Sequence, residues 1–134
     1  MATIYREFEI ESSAEAVWDV IRDVGAIHER FAKGFVANTV LEGAIRTVTF
    51  ANGFVVREEI VAIDDEHRRL AYRAIGGRAS HHNASFQVWE VSAARSRLAW
   101  ITDVLPDDVQ SLIEQMVDQG IVAIRATLQQ SPTE

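Results

Sequence analysis

The chain has 134 residues, of which 48% are hydrophobic and 25% charged, with a net charge of −7 and no cysteine. This suits one globular domain, 1–134, with a single core, and it excludes disulfides, thiolate metal sites and cysteine nucleophiles. The acidic balance argues against nucleic acid as a partner, since a phosphate backbone needs clustered lysine and arginine.

Lys33 is the only lysine, and nothing beside it is built to lower its pKa for Schiff-base chemistry. No apolar run approaches the ~20 residues of a membrane helix. The opening MATIYREFEIES turns charged too early for a signal peptide. A cytoplasmic chain without membrane insertion is expected.

Ile4–Glu11 alternates, with Ile4, Arg6, Phe8 and Ile10 on one side, and reads as a half-buried strand. Ser12-Ser13-Ala14-Glu15 is a helix start, followed by Val17, Trp18, Val20, Ile21 and Val24 at helical spacing. Gly25 can end that helix, and Ala26–Lys33 can form a second short one before Gly34. The period then changes to two. Strands are predicted at Phe35–Leu41, Ala44–Ala51, Phe54–Ile63, Arg68–Ile75, His81–Val91 and Leu98–Leu105, separated by Glu42-Gly43, Asn52-Gly53, Asp64-Asp65-Glu66 and Gly76-Gly77. Short connections favour sequential antiparallel pairing.

Pro106-Asp107-Asp108 opens a long helix, proline fitting the first turn and the aspartates the positive end of the dipole. Val109, Leu112, Ile113, Met116, Val117, Gly120, Ile121, Ala123, Ile124 and Leu128 give it a broad apolar face. The polar tail Gln129–Glu134 is expected to fray. A curved antiparallel sheet with one long amphipathic helix to cover it is expected to leave a cavity between them.

Four segments, FEIESSAEAVWDVIRD, LEGAIRTVTF, VVREEIVAIDDEHRRLAYRAIGG and SRLAWITDVLPDD, follow one another in an order that resembles the Bet v 1-like, START-like (SRPBCC) superfamily, in particular its bacterial polyketide cyclase/dehydrase and lipid-transport members. The resemblance spans nearly the whole chain. It implies an α+β helix-grip fold, a curved antiparallel sheet in β-α-α-β6-α order wrapped around a long C-terminal helix with an internal cavity. AIDDEHRRLAYRAIGG is also similar to a stretch of the plant abscisic-acid receptors. That likeness implies a latch at Gly76–Ser80 and a gate shortened to Ala51-Asn52-Gly53. It puts Ala37 where those receptors carry the lysine that holds the hormone carboxylate. Both departures argue against hormone-type recognition.

His81 and His82 are neighbours on a strand and point to opposite faces, so they are poorly placed to share a metal. The family register turns His82 to the cavity mouth with Ala84, Phe86 and Val88. It is then a ligand contact or a solvated loop residue. Glu58 faces inward if Val56 and Ile60 do. It is then an acid–base group or anchor with a raised pKa unless paired, or else part of a solvated strand edge. Arg46 and Arg6 read as structural, Arg46 either pairing with a carboxylate inside the sheet or lying on its outer face. Tyr72 lines the cavity or packs in the core, and its hydroxyl needs a partner. Trp18 is expected in the core, Trp89 outward and Trp100 at the cavity. Met116, Gly120 and Ile124 share one helical stripe, where a glycine costs about 1 kcal/mol relative to alanine and so suggests close approach to a ligand or to the sheet, or a kink. Asp103, Asp107 and Asp108 offer too few ligands for a cation site.

The expected ligand-binding set is Ala37, Val48, Phe50, Val56, Glu58, Tyr72, His82, Phe86, Trp100, Met116, Gly120 and Ile124, with Glu58 and His82 as the acid–base candidates. No metal or other cofactor is expected, and the protein is expected to be a monomer or homodimer. Three functions stay open. One is a carrier or sensor of a small hydrophobic molecule, aromatic, polyketide-like or acyl. Another is a cyclase- or dehydratase-type enzyme acting in the same pocket. The last is a ligand-free interaction module whose pocket is filled by Phe50, Phe86, Trp100 and Met116.

Overall fold

Seven strands form one antiparallel sheet in the order β1-β7-β6-β5-β4-β3-β2. The computed structural model describes residues 2–129; the tail 130–134 lies outside them. The strands are β1 (Ala2–Ile10), β2 (Val36–Glu42), β3 (Ile45–Phe50), β4 (Val55–Asp64), β5 (Arg69–Ile75), β6 (His81–Ser92) and β7 (Arg95–Leu105). Strands β2 to β7 pair with their sequence neighbours, as short hairpin turns dictate, and β1 joins the far side of β7. At the turn between β5 and β6, Gly76 and Gly77 have φ of 78° and 84°, a region that a side chain disfavours.

Helix α1 (Ala14–Ile21) begins where the Ser13 hydroxyl accepts the Ala16 N–H at 3.1 Å, and it buries Ala14, Val17, Trp18 and Ile21. Trp18 packs in the core and donates its Nε1–H to Asp65 at 2.9 Å, tying α1 to the turn after β4. The segment expected as a short helix at Ala26–Lys33 is a single π-helical turn, Ile27–Phe31, which buries Phe31. Helix α2 (Gln110–Leu128) follows a 3₁₀ turn, Asp107–Val109.

The core gathers at the α1 end of the sheet, around Ile10, Val17, Leu70 and Leu98. Of the broad apolar face of α2, only Val117, Gly120 and Ile124 are buried. Leu112, Ile113 and Met116 stay half-buried because they border a cavity rather than a packed wall.

Two details depart from the sequence reading. Strand β7 begins at Arg95 rather than Leu98, because Ser96 and Arg97 continue the pairing with β1 and β6. In β2 the register slips between Val36 and Asn38. This bulge leaves Ala37 exposed and off the cavity wall, a correction to the expected lining. Trp89 is outward, as expected, and 40% exposed.

Candidate functional site

Between the concave face of the sheet, the π-helical turn and α2 lies a cavity of about 340 Å³. Period-two alternation brings Val48 and Phe50 of β3, Val56 and Glu58 of β4, and Tyr72 of β5 to it. Strands β6 and β7 add His82, Phe86 and Trp100, and α2 adds Met116, Gly120 and Ile124.

The aromatic residues form a wall and do not fill the space. Phe86 stacks on Trp100 with centroids 4.6 Å apart and planes at 27°, as cross-strand neighbours. Tyr72 lies nearly parallel to Phe86 at 6.3 Å. Gly120 lets α2 approach that wall. A Cβ there would lie 3.1 Å from the Trp100 ring and 3.3 Å from Phe35. Close approach to the sheet therefore explains this glycine.

The polar part of the wall is built around Arg46. Its side chain is only 4% exposed, and its Nε donates to the Glu58 carboxylate at 2.7 Å. The two residues are directly opposite on β3 and β4. Nη1 donates to the Val24 carbonyl at 3.3 Å, and the guanidinium carbon lies 4.8 Å from the centre of the Tyr72 ring. The Tyr72 hydroxyl accepts the Trp100 Nε1–H at 3.2 Å. Burial, reinforced by the nearby Glu58 charge, pushes the Tyr72 phenol well above its usual pKa, so it stays protonated. Its hydrogen has no acceptor among the hydrogen bonds of the described residues.

His82 borders the cavity half-buried, and burial, with His81 beside it, lowers its pKa and favours the neutral imidazole. His81 is exposed and hydrogen-bonds Asn83. Asn83 in turn donates to Asp103 at 3.3 Å, and Thr3 donates to the same carboxylate at 2.7 Å. Asp103 is thus part of a strand-to-strand network. The two histidines diverge as strand geometry requires. Among the described residues no group of three or more histidines and carboxylates could hold a metal ion.

Sequence reasoning left two features of the wall open or unseen. It left the place of Arg46 open between an internal pair and the outer face. It also passed over Phe31 and Phe35, although Ile27 and Phe31 are spaced to share one face of a helical turn and all three line the cavity.

The chain belongs to the polyketide cyclase/dehydrase and lipid transport family, whose model matches residues 1–129. The helix-grip architecture recurs in solved structures. An uncharacterized protein from Bacillus thuringiensis superposes with a TM-score of 0.85 at 18% identity, over 96% of this chain and 100% of its own. A START superfamily protein from Mycobacterium smegmatis gives 0.80 at 10% identity, over 94% and 96%. The Zhui aromatase/cyclase of Streptomyces sp. R1128 gives 0.73 at 17% identity, over 96% and 91%. At such identities the likeness is one of fold. None of the curated proteins matches the chain. Among the described residues no helix is long and apolar enough to cross a membrane.

Proposed function

We propose that the protein binds a small hydrophobic molecule, aromatic, polyketide-like or acyl, in this cavity as a carrier or sensor. The observation that carries the reading is an aromatic-walled space of about 340 Å³ beside an arginine and a glutamate that already pair with each other. Its size falls in the range of small-molecule sites, which are mostly apolar with a few placed polar groups. Burial of ligand surface, at roughly 25 cal/mol per Å², supplies the affinity. The Tyr72 hydroxyl and the neutral His82 imidazole orient the ligand, and Val48, Val56, Phe86, Trp100, Met116 and Ile124 give it an apolar bed.

An enzyme of cyclase or dehydratase type in the same cavity assigns acid–base roles to Glu58 and His82. Its support is the family, together with the fold shared with an aromatase/cyclase. The ion pair weighs toward the carrier, because a general base must be free to take a proton and Glu58 is engaged by Arg46.

Native mass spectrometry of the protein as purified, followed by denaturing extraction, tests the reading. The expected result is an added small-molecule mass that denaturation releases. A chain that is empty, and that stays empty when neutral aromatic compounds are added, would overturn it.

A further inference from the structure

We propose that Glu58 sets the charge specificity of the cavity: by occupying Arg46 it makes the site accept uncharged ligands that carry a hydrogen-bond acceptor and reject carboxylates of the same shape. This rests on the cavity being a binding site. A buried arginine on an apolar wall is by itself a carboxylate receptor, with a planar fork of donors that matches two oxygens. Here its charge is already engaged by Glu58, and two of its five N–H donors are used. The guanidinium meets the Glu58 carboxylate at 2.7 Å, the Val24 carbonyl at 3.3 Å and the Tyr72 ring face at 4.8 Å. Each partner is electron-rich, and together they compensate its charge.

A ligand carboxylate entering the cavity loses its water and finds no net positive charge in exchange. It also meets Glu58 as a like charge. Arg78, the other arginine of the lining, is exposed at the rim, where a hydrated charge contributes little. Asp23, also at the rim, is already paired with Arg30 at 2.9 Å.

An uncharged acceptor fares better. The Tyr72 hydroxyl receives the Trp100 N–H, which leaves its own hydrogen to donate to a ketone or phenol oxygen. The near-parallel rings of Tyr72, Phe86 and Trp100 offer a flat ligand a face to lie on.

The test is calorimetric titration with two compounds of matched shape, the methyl ketone and the ionised carboxylate of naphthalene, into the wild-type protein and Glu58→Gln. The wild type is expected to bind the ketone and to bind the carboxylate about tenfold more weakly or worse. Glu58→Gln frees the guanidinium and is expected to raise carboxylate affinity until the preference is lost or inverted. Equal wild-type affinities, or an unchanged ratio in the variant, would overturn the inference and leave the cavity reading intact. Failure of the folded wild type to bind either compound would overturn both. Should Glu58→Gln not fold, the double variant Arg46→Met with Glu58→Met removes both charges together. It is expected to bind the ketone and still reject the carboxylate, and carboxylate binding without the arginine would contradict the proposal.

Discussion

Arg6 and Arg46 stand on inward-facing positions of strands at opposite sides of the sheet, and both form ion pairs, yet their surroundings give those pairs different weight. Arg6, on β1, reaches α2, where it meets Asp118 at 2.8 Å and Glu114 at 3.4 Å, with side-chain exposures of 31%, 56% and 37%. Water and salt screen that seam, and each long side chain loses rotamer freedom to form it. Arg46 meets Glu58 at 2.7 Å with exposures of 4% and 12%. There the pair is a closed unit, and removing either half strands the other charge in the cavity wall. The first pair fastens a helix to the sheet. The second determines what the cavity presents to its contents.

The sharpest way to break this comparison is Arg46→Leu. Leaving Glu58 alone is expected to cost about 3–5 kcal/mol, and adding Glu58→Leu should recover most of it. Chemical denaturation of the single and double variants measures this, and additive losses would show that the two side chains do not act as a unit.

Next in size is Gly120→Ala. Trp100 is held by Phe86 and Tyr72 and cannot easily retreat from a new Cβ. An overpacking cost of about 1–3 kcal/mol therefore outweighs the gain of about 1 kcal/mol in helix propensity. Thermal unfolding should show a net loss, whereas a more stable variant would mean that the wall yields.

A smaller effect follows from His82. The folded state holds it neutral, so below the ordinary value of 6.5 the unfolded chain binds a proton that the folded chain resists. Stability from this group is full above 6.5 and falls as pH drops toward the lowered folded value. His82→Gln should flatten that part of the pH–stability curve. His67, raised by its bond to Asp64, acts with the opposite sign but is present in both proteins. An unchanged slope would place His82 in solvent.

Smallest is Arg6→Ala, expected to cost below about 1 kcal/mol at neutral pH. Arg6 lowers the Asp118 pKa, so the pair contributes above the ordinary carboxylate value of 3.8 and its contribution fades as pH falls through the lowered one. The gap between wild type and variant should therefore close in acid. A loss as large as that of Arg46→Leu would erase the distinction between the two regions.

The course of the chain is legible in the sequence because alternation and glycine turns are local signals, and β2 to β6 begin within a residue of their expected starts. The family resemblance placed the long helix across the sheet. What escaped depends on pairing between distant residues. The start of β7 at Arg95 is fixed by its two neighbours, not by its own polar sequence. The Ala37 bulge is a slip against β3 that no composition announces. The Arg46–Glu58 pair was within reach, since counting back from the Asn52-Gly53 turn sets Arg46 against Glu58 or its neighbour. Whether that pair faces the cavity or the solvent depends on which face of β3 and β4 turns inward.

The most direct test of the account is binding of the neutral naphthyl ketone by the wild type and by Ala74→Trp, whose new ring would occupy the cavity beside Glu58. With both proteins shown to be folded, saturable one-to-one binding by the wild type and its loss in the variant are expected. Equal binding by both would put the molecule somewhere else on the protein and contradict the central claim.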